Sequence, residues 1–211
     1  YAMVKNVDDN VGRLLDALFA AGALDSTIVV FFSDHGEHGG SHGNFGKGVG
    51  REEDLHIPLM IRYPERLAAG TEYEGLVGGL DIYPTTAGLA GVPMRDALHG
   101  VNHTPALTGI SGPPRDRLML QWTNRHLHPW SRTPRYGLLR NKAIYIATSD
   151  APDRYWDLTA DPFQEREGEV GFAELDDASR AALTDTLAQE MIDVGIDPET
   201  WSYEPETWSH E

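Results

Sequence analysis

Residues 27–32, Thr-Ile-Val-Val-Phe-Phe, form an unbroken apolar run of β-branched and aromatic side chains. Such a run has no polar face to turn to water. It reads as a strand covered on both sides, the habit of strands in parallel sheets. Upstream, Val4, Val7, Val11, Leu14, Leu15 and Leu18 recur at helical spacing, which predicts a helix over about residues 3–21, ended by Gly22. Helix, short connection and buried strand make one half of a crossover unit, so the expected fold is α/β with a mostly parallel sheet. A second apolar strand is expected over residues 57–62. A further helix is expected to Ala90, with Asp81 as N-cap, Pro84 in the first turn and Gly91 as terminator.

Chemistry gathers where the first strand ends. Ser33-Asp34-His35-Gly36 follows it, and glycines then recur at 39, 40, 43, 46 and 48 around Lys47. In open α/β sheets ligands bind just outside the carboxyl ends of strands. Asp and neutral His are both ligands for divalent cations. Glycines let the backbone fold closely around a small site. Lys47 returns a positive charge, so the stretch points to an anion held between a metal ion and a lysine. The other lysines are Lys5 and Lys142, in a chain with 33 acidic and 17 basic residues and a net charge of −16. That balance disfavours nucleic acid as a partner. It fits an ordinary acidic surface with an arginine-biased composition, or adaptation to high salt. The chain has no cysteine, hence no disulfide among these residues. No apolar run approaches a membrane-spanning length, and the first residues do not read as a signal peptide, which leaves the compartment open.

The segment SDHGEHGGSHGNFGKG, residues 33–48, resembles the metal-binding segment of sulfatases, within the alkaline phosphatase superfamily. Ser33, Asp34, His35, Gly36, Glu37, Gly40, His42, Gly43, Gly46 and Lys47 match that pattern in register. Ser41 departs from it at an acidic position, and Asn44 and Phe45 where a bulky apolar residue and often Trp are usual. The resemblance continues through the strand His56–Pro64, the D-x-x-P-T helix start at Asp81–Thr85, and the Tyr155–Leu158 turn with Asp161-Pro162. It implies that Asp34 and His35 hold one divalent cation, calcium first, with magnesium or manganese as alternatives. It implies that Lys47 is catalytic, meeting the sulfate or leaving group, and places His42 at the substrate site or bracing the loop. The family's nucleophile is formylglycine, made in a C/S-x-P-S-R segment that follows paired aspartates. Neither feature is present here. The resemblance therefore implies the C-terminal portion of a longer sulfuric ester hydrolase, partnered by a missing N-terminal half and acting on a small-molecule or carbohydrate sulfate ester. His at position 35, where most sulfatases have Asn, also occurs in phosphonate and phosphate ester hydrolases of the same scaffold. That relationship keeps a phosphonate or phosphodiester hydrolase open, and an inactive binding module is the alternative from another class.

Residues 1–110 are expected to belong to the catalytic α/β domain, 111–196 to a small antiparallel sheet with a covering helix, and 197–211 to an acidic tail. Strand candidates are 118–123, 136–140, 143–148 and 154–158, with a tight hairpin connection at Leu139–Ala143. Leu175, Leu183, Leu187, Met191 and Ile192 mark a helix over 176–193. Four further expectations concern charged and aromatic groups. His38 should face solvent, and Arg51–Asp54 should form a solvated turn or short helix. His56 is a lesser candidate for a second metal, and His126 and His128 beside Trp122 and Trp130 read as an aromatic cluster under a loop.

Overall fold

The computed structural model describes residues 1–94, 98–110, 114–122, 135–148 and 151–200, and the backbone of 202–203. These divide into two compact units: residues 1–33, 58–74 and 79–113 in the first, and 34–57, 75–78 and 114–211 in the second. The expected cluster of His126, His128 and Trp130 lies outside the described residues. No helix among the described residues is long and apolar enough to cross a membrane.

In the first unit, helix α1 (Ala2–Ala20) ends as its sequence predicts. Gly22 takes φ 67°. The amides of Gly22 and Ala23 then bond back to the carbonyls of Phe19 and Leu18, each at 2.9 Å, which satisfies the last turn. Strands β1 (Val29–Phe32) and β2 (Leu59–Arg62) pair antiparallel, Val29 opposite Arg62 and Phe32 opposite Leu59. The pairing of these two strands is antiparallel, and the expectation that each is buried on both faces is corrected. The pair has no third strand among the described residues, and Phe32 and Met60 remain 46% and 59% exposed.

Helix α3 (Ile82–Ala90) carries Pro84 in its first turn and is closed by Gly91 at φ 67°. Asp81 does not cap it through its side chain. Its buried carboxylate accepts from Val101 N at 2.7 Å and approaches His103 Nε2 at 3.2 Å. It thereby holds the segment that leads into α4 (Thr104–Leu107). A capping aspartate and a buried tertiary acceptor look alike in sequence.

The second unit is built on an antiparallel meander in the order β3 (Arg117–Trp122), β4 (Arg135–Arg140), β5 (Ala143–Thr148), β6 (Arg154–Asp157). The β4–β5 turn falls at Asn141–Lys142, with Lys142 at φ 69°. Both faces of this sheet are covered. Tyr136, Leu138, Tyr145 and Ala147 pack with Leu183, Leu187 and Met191 of α6 (Asp177–Asp193). Phe172 of α5 (Gly168–Glu174) stacks on Tyr145 at 5.6 Å. On the opposite face Ile144, Ile146 and Trp156 pack with Trp122 and with Leu55 of α2 (Glu52–Leu55). Burial of both faces explains why β5 reads Ala-Ile-Tyr-Ile-Ala without polar alternation. It also pushes the phenol of Tyr145 well up, and that group donates to Asp153 at 2.7 Å. A short ladder of β7 (Ile196–Asp197) and β8 (Ser202–Tyr203) follows α6. The glycine-rich segment 34–57 thus belongs to the unit that holds this sheet.

Candidate functional site

The glycine loop is held by close backbone approaches that a side chain would prevent. A Cβ on Gly36 would lie 1.8 Å from Glu53 O, and the Gly36 amide donates to Asp54 O at 2.8 Å. Gly50 has φ 81°, and a Cβ there would meet Ile146 Cδ1 at 2.3 Å, so the loop lies directly on the sheet. Further ties come from the sheet side. Arg135 Nη2 donates to Gly48 O at 2.9 Å. Glu52 N donates to Gln164 Oε1 at 2.7 Å, and Arg51 Nη1 donates to Gln164 O.

Asp34 and His35 come together at the start of the loop, both exposed. His35 Nδ1 lies 2.8 Å from Gly36 O. A carbonyl only accepts, so Nδ1 carries the proton, and in the neutral ring Nε2 is left as a lone-pair donor. That nitrogen lies 3.4 Å from Asp34 Oδ2. A lone pair and a carboxylate oxygen at this range repel unless a cation or a second ring proton joins them. The spacing fits two donors on one calcium-sized ion, whose bonds run about 2.3–2.6 Å. Asp34 Oδ1 accepts from His35 N at 3.0 Å, which fixes the carboxylate's orientation. Among the described residues no group of three or more His, Cys, Asp or Glu is arranged around a metal. Asp34 and His35 are thus two oxygen and nitrogen donors set side by side, without a third such side chain around them among the described residues.

Lys47 is exposed, and among the described residues its ammonium pairs with no carboxylate. The backbone on either side of it is fixed. Gly46 N donates to the Glu37 carboxylate, and Gly46 O accepts from His38 N at 2.9 Å. Beyond Lys47, Asp54 Oδ2 accepts from Gly48, Val49 and Gly50 N at 3.0, 2.7 and 2.9 Å.

Several sequence expectations are corrected here. The acidic run at 52–54 forms α2, and its Asp54 is 5% exposed, turned into the loop rather than to water. His38 is buried beside it, with Nε2 3.1 Å from Asp54 Oδ1. No hydrogen bond joins the two atoms. His42, expected at the substrate site or bracing the loop, has both ring nitrogens engaged. Arg51 Nη1, which only donates, lies 3.2 Å from Nδ1. Nε2 therefore carries the proton towards Glu53 Oε1 at 3.1 Å. His56 points outward, 80% exposed, towards Glu52 at 3.4 Å. Asp54, Arg51 and Gln164 are the residues sequence reasoning missed. The one signal for them was an acidic residue shortly after the Gly-Lys-Gly-Val-Gly run.

The fold is like that of α/β proteins of the sulfatase and alkaline-phosphatase type. Solved neighbours carry it. A protein bound to its substrate D-glucosamine-2-N,6-O-disulfate superposes with a TM-score of 0.79 and 26% identity over 96% of this chain and 41% of that one. The phosphonate monoester hydrolase of Agrobacterium radiobacter superposes with a TM-score of 0.80 and 27% identity over 91% of this chain and 40% of that one. The family model described as Sulfatase matches residues 1–92. An N-acetylglucosamine-6-O-sulfatase of Bacteroides thetaiotaomicron is 33% identical over 165 residues, 76% of this chain and 30% of its own length. The chain belongs to the sulfatase family. It spans about 30% of the length of that curated relative.

Proposed function

We propose that this chain supplies part of the cation and anion site of a sulfuric ester hydrolase. The observation that carries the reading is the approach of Asp34 Oδ2 to His35 Nε2 at 3.4 Å on the same loop as a backbone-fixed Lys47 that pairs with no carboxylate among the described residues. Asp34 and His35 would hold the divalent cation, calcium before magnesium or manganese. That ion supplies neutralisation of charge on the ester oxygens and on the nucleophile. Lys47 offers a compact ammonium to the oxygens on which negative charge grows. His42, locked between Arg51 and Glu53, braces the loop that carries Lys47. The nucleophile, formylglycine in this family, would come from chain outside these residues. The same chain would add the remaining strands of a mostly parallel sheet beside β1 and β2. The exposed Phe32 and Met60 support this. Residues 1–110 then form part of the catalytic domain, 111–196 the smaller subdomain and 197–211 an acidic tail. The substrate class is a sulfated small molecule or carbohydrate. The resemblance to a protein that binds a sulfated glucosamine favours the carbohydrate.

The likeness to a phosphonate monoester hydrolase supports the second reading, a phosphonate or phosphodiester hydrolase on the same scaffold. Assay of the enzyme containing this chain against matched aryl sulfate and aryl phosphonate esters, with each cation in turn, separates them. Faster sulfate hydrolysis is expected. Faster phosphonate hydrolysis moves the assignment to the second reading, and no hydrolysis of either ester points to an inactive binding module. The 211-residue chain alone should turn over neither ester, because it lacks the nucleophile.

A further inference from the structure

Lysine on a glycine-rich loop is a poor catalytic group unless something removes its freedom. Positive φ at Gly46, Gly48 and Gly50, 101°, 93° and 81°, gives the segment a wide choice of conformations when unfolded. We propose that Asp54, backed by the buried His38, is the positioning residue for Lys47. This rests on the reading of Lys47 given above.

Successive amides of a loop with this φ pattern converge on a single point and form an anion-binding nest. Here the anion is internal. One oxygen of Asp54 accepts from Gly48, Val49 and Gly50 N at 2.7–3.0 Å. Those amides are therefore committed, and an arriving anion is left to the ammonium of Lys47.

The other Asp54 oxygen faces His38 Nε2 at 3.1 Å, with His38 and Asp54 side chains 0% and 3% exposed. Three amide donors on one oxygen and the imidazole beside the other are what offset the burial of this carboxylate. His38 also holds the near side of Lys47, since its own amide donates to Gly46 O at 2.9 Å. One histidine thus touches both halves of the clamp, by side chain beyond Lys47 and by backbone before it.

Asp54→Asn keeps the shape and removes the charge, and His38→Gln is the companion variant should the first fail to fold. In the chain itself, amide hydrogen exchange at Gly48, Val49 and Gly50 should quicken by about tenfold or more in Asp54→Asn, and by less in His38→Gln. Exchange in β4 and β5 should stay unchanged. Wild-type exchange at all three amides in both variants overturns the clamp.

In the enzyme containing this chain, a double-mutant cycle with Lys47→Ala separates positioning from general support. Asp54→Asn alone should lower kcat by about 10- to 100-fold, with KM within about threefold. In the Lys47→Ala background the same change should cost less than about twofold. An equal loss in both backgrounds overturns the positioning role and leaves the Lys47 reading standing. A silent Lys47→Ala overturns that reading, and this inference with it.

Discussion

Strand β5 and the β1–β2 pair are made of the same kinds of residue and differ in what covers them. Ile144, Tyr145 and Ile146 are 2% exposed or less, enclosed by α6 on one face and the glycine-loop segment on the other. Phe32 and Met60, in equally apolar strands, are 46% and 59% exposed. Helix α1 likewise has no buried residue, and Met3, Val4, Val7, Leu14 and Phe19 are exposed along it. An unbroken apolar run states that a strand expects cover on both faces. The second unit meets that demand from its own sequence, while the strands of the first meet it only in part. Large exposed apolar surface of this kind marks a face built to be covered, consistent with a chain that spans about 30% of its relative's length.

The comparison can be broken most sharply by truncating one side chain in each unit. Leu187→Ala, at a site 3% exposed, should cost about 2–5 kcal/mol in denaturant unfolding. Met60→Ala, at a site 59% exposed, should cost about 0.5 kcal/mol or less. Equal losses would mean that the strand pair is covered after all.

A smaller effect tests how the loop sits on the sheet. Gly50→Ala puts a methyl group 2.3 Å from Ile146 Cδ1 at φ 81° and should cost about 1–3 kcal/mol. Gly46→Ala has φ 101° and no atom within 4 Å, so only backbone strain opposes it and the loss should be smaller. A Gly50→Ala protein as stable as the parent would place the loop away from the sheet.

The smallest effect is electrostatic. Asp176 caps α6 by accepting from Ser179 N at 2.7 Å, and that bond holds its carboxyl below the usual carboxylate range. A depressed pKa contributes stability above the unfolded-state value, lost as pH falls through the folded-state one. Asp176→Ala should therefore lower the melting temperature of the second unit near neutral pH and have no effect once the parent carboxyl is protonated. A loss that persists unchanged into strong acid would show that the cap is not the cause.

Periodicity made α1, α3, α6 and the β4–β5 hairpin legible in the sequence, because each carries its own pattern and terminator. The meander was legible from its spacing of short strands and turns. Helix α5 was not, since Gly168 and Gly171 dilute its propensity and its place depends on contacts around Trp156 and Tyr155. The order Asp34, His35, Lys47 could be read directly. What held Lys47 could not. Asp54 hides in an acidic run that reads as solvated surface, and His38 reads as one loop histidine among several. Both are buried only through tertiary contacts that local sequence does not encode.

The central claim is that Asp34 and His35 form a two-donor part of a cation site. Titration of the chain with Mn²⁺, followed by paramagnetic broadening of amide resonances, tests it directly. Broadening should centre on Asp34–Gly36, with an apparent Kd weaker than about 10⁻⁴ M because a full site needs six or more donors, and Asp34→Ala should abolish it. Broadening centred elsewhere, or micromolar binding that survives Asp34→Ala, would contradict the assignment.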